Sequence, residues 1–105
     1  DTAGAADTIE RASKTLVKAR YIVATRLVEE GLIDEGIALL EDAWRRAPED
    51  EEIATTLAAV LHALKRTEDV ARVKKDALAR SANPGRLEQR FKEQLETVSQ
   101  TPPAP

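Results

Sequence analysis

Residues 31–50 read GLIDEGIALLEDAWRRAPED, a stretch holding two of the chain's four glycines and its only tryptophan. Ile37, Leu40, Ala43 and Trp44 step at helical spacing, Arg45 and Arg46 meet the negative end of the helix, and Pro48 closes it. Asp34 stands where an N-cap would. Inside such a helix Gly36 costs about 1 kcal/mol against alanine. Either the glycine marks a helix crossing too close for a side chain, or the stretch is a simple loop.

Upstream, no glycine or proline interrupts residues 7–30, and Asp7 with Glu10 three residues on makes a capping-box-like start. Ile9, Ala12, Leu16, Ala19, Val23 and Leu27 form the apolar stripe of this long first helix, flanked by Val17, Ala24 and Val28, and Gly31 ends it. Downstream, the acidic run Glu49 to Glu52 suits the positive end of a third helix with the stripe Ile53, Leu57, Leu61 and Leu64, and reads as a cap rather than a cation site. Thr67 is placed to cap a fourth helix running to Arg80, with Val70, Val73, Ala77 and Leu78 inward. Asn83-Pro84 opens a fifth, which carries Leu87, Phe91, Leu95 and Val98. The fold class is therefore all-α, with about five helices. Residues 1–6 and the proline-rich tail 99–105 have nothing to bury and are expected to be disordered, leaving one domain over residues 7–98.

Composition narrows the function classes. The chain has 105 residues, 18 of them alanine and only three aromatic (Trp44, Tyr21, Phe91), which favours helix over sheet. Sixteen basic residues among nineteen acidic ones make a mixed, solvated surface, which argues against nucleic acid as the main partner. Lys74, Lys75, Arg86, Arg90 and Lys92 are diluted by Asp76, Glu88 and Glu93, so they read as a solvated face rather than a phosphate site. No apolar run is long enough to span a bilayer, so no membrane insertion is expected, and the reading is of a soluble protein of cytoplasm or periplasm. Without cysteine there is no disulfide framework or thiolate metal site. The chain lacks methionine and begins at Asp1, which reads as a piece of a longer product, and its alanine and arginine richness points to a GC-rich bacterial genome.

Chemistry is hard to assemble. His62 is the only histidine, the glycines at 4, 31, 36 and 85 make no phosphate loop, and no carboxylate pair is framed by apolar residues. Neither catalysis nor a metal or cofactor is expected.

Sliding the chain by 34 residues against itself pairs Ala24 with Ala58, Leu27 with Leu61, Ala43 with Ala77 and Arg46 with Arg80. A 34-residue period with two helices each resembles the tetratricopeptide repeat, a helix–turn–helix unit that stacks into a solenoid. Ala24, Gly31, Ala43 and Pro48 match the family's small, turn and proline positions in a first repeat, residues 17–50, and Gly36 falls where the paired helices approach most closely. The second, residues 51–84, departs: Lys65 replaces the turn glycine and Val70 the small residue. Residues 85–98 would be a capping helix, with Glu88, Gln89, Lys92, Glu93 and Glu96 solvating its outer side. The competing arrangement is an irregular five-helix bundle.

The resemblance implies a non-catalytic adaptor that holds a segment of another protein or peptide in a concave groove. By register the groove would present Tyr21, Ile22, Thr25 and Val28, then Thr55, Thr56, Ala59 and His62, then Arg86, Arg90 and Glu93. Arg86 and Arg90 match half of the basic clamp with which the family's chaperone-binding members hold a C-terminal carboxylate. Tyr21, Thr25 and Thr56 stand where that clamp has Lys and Asn, so an apolar or mixed segment fits better. The first helix starts about two turns before the repeat needs it. Ile9, Ala12, Leu16 and Val17 on this extension form a second candidate face, for a missing upstream element, for homodimer pairing as the homo-oligomerisation module of a larger assembly or secretion protein, for a partner's helix, or as a plain edge cap.

Overall fold

The computed structural model describes residues 2–100, with side-chain surroundings for 11, 12 and 14–96. Five helices follow one another: α1 (Thr2–Glu29), α2 (Ile33–Arg46), α3 (Glu51–Ala63), α4 (Thr67–Arg80) and α5 (Pro84–Gln100). No strand occurs among the described residues, so the fold is all-α. The chain divides into two compact units, Asp1–Ala47 and Pro48–Pro105, where one repeat domain over residues 7–98 is expected from sequence. α1 begins five residues before Asp7, so the stretch expected to be a disordered lead is helical from Thr2. α5 likewise takes up residues 99 and 100 of the expected tail, and the rest of that tail lies outside the described residues.

In the first unit α1 and α2 form a hairpin. Gly31 turns the corner at φ +88°, with Leu32 N–H donating to the Leu27 carbonyl at 2.8 Å and Gly31 N–H to that of Val28 at 3.1 Å. This pair of bonds is a Schellman turn, which satisfies carbonyls that the helix end leaves open. α2 starts at Ile33 directly after the turn, with Leu32 at the N-cap and no side-chain cap hydrogen bond, and Asp34 lies inside the first turn instead of capping it.

The crossing that follows has almost no clearance. A Cβ on Gly36 would lie 2.5 Å from Val28 Cγ2, 3.0 Å from the Ala24 carbonyl oxygen and 3.3 Å from the Val28 nitrogen. Two of those three atoms are backbone, and valine has one strongly preferred rotamer in a helix, so neither side can yield cheaply. Gly36, Ile37, Leu40, Ala43 and Trp44 of α2 are buried. On α1 the buried residues are Val17 and Ala24, with Tyr21, Leu27 and Val28 half-buried. The packed face is therefore the flank, and Ala12, Leu16, Ala19 and Val23 of the expected stripe are exposed. An ion pair between Arg20 and Asp42, at 3.5 Å, adds a polar tie between the two helices. The hydrogen bond from Arg46 holds the Asp42 carboxyl below the usual carboxylate range against partial desolvation, aided by the charges of Arg46, Arg20 and Arg45.

In the second unit α3 packs against both α4 and α5, and α4 also meets α5. Asp50 caps α3, accepting from Ile53 N–H at 3.1 Å, and Asn83 caps α5, accepting from Arg86 N–H at 3.1 Å. Ile53, Leu57, Leu61, Val73, Leu87 and Phe91 make the core, while Leu64, expected to continue the stripe of α3, is its exposed C-cap. The α3–α4 turn repeats the first one at the period read from the sequence: Lys65 takes φ +61°, Arg66 N–H donates to the Leu61 carbonyl and Lys65 N–H to that of His62. Here too the helix starts without a side-chain cap, and Thr67 is its first residue.

Three outcomes follow, all read by thermal or urea unfolding. Gly36→Ala destabilises despite the helix propensity it adds, and Gly36→Leu does so further, by about 1–3 kcal/mol from overpacking. Lys65→Gly stabilises by about 1 kcal/mol, since it removes the cost of a side chain in the left-handed region.

Candidate partner-binding surface

The expected groove residues divide between the two units. Tyr21, Ile22, Thr25 and Val28 lie on α1; Ile22 is exposed and the other three are half-buried. The Thr25 hydroxyl donates to the Ile22 carbonyl, at 2.8 Å. The remaining seven lie on α3 and α5, which pack side by side. Of these, Thr55 and Ala59 are buried, so neither offers a surface to a partner, and the Thr55 hydroxyl is turned back onto the carbonyls of Glu51 and Glu52. Thr56 and His62 are half-buried, and Arg86, Arg90 and Glu93 are exposed. Glu93 accepts a hydrogen bond from Gln89, one turn earlier on the same helix.

Arg86 and Arg90 are not poised for an incoming carboxylate, because the protein supplies one. Glu51 Oε2 accepts from Arg86 Nη2 at 3.2 Å and pairs with Arg90 Nη1 at 3.6 Å, while Glu51 Oε1 accepts from the Ser81 hydroxyl at 3.1 Å. Ser81 in turn accepts from Asn83 N–H at 3.1 Å. Glu51 is more enclosed than either arginine, its side chain 22% exposed against 67% for Arg86 and 43% for Arg90. The network ties the start of α3 to the α4–α5 turn and the first turns of α5. It borders an open depression of about 640 Å³ whose lining includes the acids Glu49, Asp50, Glu51 and Glu52 and the bases Arg80, Arg86 and Arg90. Such mixed charge selects no ligand of a single sign.

Glu51 is the residue that the sequence reading missed. Its signal is the register of the two helices: if the starts of α3 and α5 lie side by side, an acid in the first turn of one faces a base in the first turn of the other. The Arg46–Asp42 pair at 3.1 Å recurs one repeat period later as Arg80–Asp76 at 3.5 Å, and both are exposed pairs at the ends of α2 and α4.

On the first unit, Val17 is buried and so does not belong to the expected oligomer face, and the Ile9 side chain lies outside the described residues. Among the described residues no group of three or more His, Cys, Asp and Glu could hold a metal ion, and no helix is long and apolar enough to cross a membrane. No family model matches the chain, and no curated protein or solved structure is significantly similar to it.

Glu51→Ala should lower the stability of the second unit by about 1 kcal/mol, an exposed network being worth less than a buried one. Urea unfolding followed by circular dichroism should show a larger loss for Glu51→Ala than for Arg86→Ala, because the first removes two hydrogen bonds and an ion pair together.

Proposed function

We propose that this protein is a non-catalytic interaction module, built as a short tetratricopeptide-like array, that binds a segment of another protein. The supporting observation is the repetition of the turn: two hairpins closed by the same hydrogen bonds at Gly31 and Lys65, with α2 and α4 starting and ending one repeat period apart. The packing of α3 on both its hairpin partner α4 and the following helix α5 fits such an array. α5 shows the polar outer side of a terminal helix, with Glu88, Gln89, Lys92, Glu93 and Glu96 exposed. Its inner side buries Leu87 and Phe91.

The binding surface in this reading is the α3–α5 face, with Thr56, His62, Arg90 and Glu93 as its accessible members. Arg90 keeps part of its fork exposed beside Glu51, so a mixed polar and apolar segment suits it better than a bare carboxylate. Selection from a displayed library of random 12-residue peptides is the direct test. Enriched peptides should lose about tenfold or more in affinity to the His62→Glu, Arg90→Glu double variant, since charge reversal against a docked segment costs more than about 1.4 kcal/mol. Full affinity in a folded double variant would refute this placement of the surface.

A further inference from the structure

The packing of α1 on α2 by its Val17–Ala24 flank leaves another apolar face open. Ala12, Leu16, Ala19 and Val23 are spaced by four, three and four residues, which puts them in one stripe along the helix. All four are exposed, Leu16 at 58% and Val23 at 50%, and Ile22 beside them at 56%. The stripe alternates small and large residues, and such alternation lets another helix approach closely and interdigitate.

Charge decides what covers it. From Arg11 to Arg26 the helix carries Arg11, Lys14, Lys18, Arg20 and Arg26 and no acid, the nearest acids along the chain being Asp7 and Glu10 before that stretch and Glu29 and Glu30 after it. Arg26 borders the stripe on one side, with Lys18 and Arg11 beyond it, and Arg20 on the other, by helical geometry. Arg20 and Arg26 pair with Asp42 and Glu30 at 3.5 and 3.3 Å, and Arg11 and Lys14 have interactions of their own, but surface pairs leave the stretch, with five bases and no acid, basic. A second copy of this chain would set a basic centre against a basic centre. A membrane surface would accept the charge, but two of the four stripe residues are alanine and none is aromatic, which gives little to insert.

We propose that this face of α1 docks an amphipathic helix of another protein whose apolar stripe is flanked by Asp and Glu. The site shares no residue with the α3–α5 surface and does not depend on it.

The probe is a pair of synthetic 21-residue helical peptides with the same Leu/Ala stripe, one flanked by Glu and the other by Lys, titrated by calorimetry against the full chain. The Glu peptide should bind about tenfold or more tightly than the Lys peptide, and less tightly as salt is raised. Leu16→Glu should abolish binding with helix content unchanged, since the residue is exposed, whereas His62→Glu with Arg90→Glu should not affect it. Ala19→Leu adds apolar area but blocks close approach, so it should weaken a helix–helix contact. Equal affinity for the two peptides, binding strengthened by Ala19→Leu, or no measurable binding of the Glu peptide would overturn the proposal. So would light scattering that shows a dimer dissociated by Leu16→Glu, or capture by vesicles of anionic lipid in preference to the peptide.

Discussion

The first unit depends on a distance. A carbon added at Gly36 would lie 2.5 Å from Val28 Cγ2 and 3.0 Å from the Ala24 carbonyl oxygen, and this closeness fixes how α2 crosses α1 and which residues of α1 face it. Ala24 and Val28 meet the glycine, Val17 follows two turns away on the same face, and Ile37, Leu40 and Trp44 are buried on the same helix as the glycine. A helix that gives up about 1 kcal/mol of intrinsic propensity at Gly36 recovers it in backbone-to-backbone proximity. The second unit does not repeat this device. Val70 occupies the position equivalent to Gly36 in the second hairpin and is buried, so a branched side chain is accommodated where the first hairpin tolerates none.

What the sequence made legible was mostly what neighbouring residues decide among themselves. The stripes Ile37–Leu40–Ala43–Trp44, Ile53–Leu57–Leu61 and Leu87–Phe91 are all buried, because each of these helices has one apolar side. Asp50 and Asn83 cap as their positions suggest, since a cap is a contact within three residues. α1 is apolar on two adjoining sides, and its periodicity cannot choose between them. That choice is made by α2, through the one place where the two backbones nearly touch. Asp34 and Thr67 fail as caps for a related reason: a Schellman turn satisfies the preceding helix and starts the next in one step.

The same division explains the surface. Arg86 and Arg90 are recognisable as carboxylate ligands by chemistry alone, yet which carboxylate they meet depends on the neighbouring helix that reaches them. Glu51 lies thirty-five residues before Arg86 and becomes its neighbour only when α3 and α5 lie side by side. A pair of arginines already answered from within leaves less of its charge uncompensated. It also leaves the basic centre of α1, whose opposite charges stand mainly at its ends, as the most one-sided charge on the first unit.

The placement of the aromatic residues has a spectroscopic consequence. Trp44 is buried in the first unit and Tyr21 half-buried in the same unit, whereas the second holds only Phe91. Intrinsic fluorescence excited in the indole band therefore watches the α1–α2 hairpin alone, and far-ultraviolet circular dichroism watches all five helices. The molecule carries its own means of telling whether its two units come apart in a single step or one after the other.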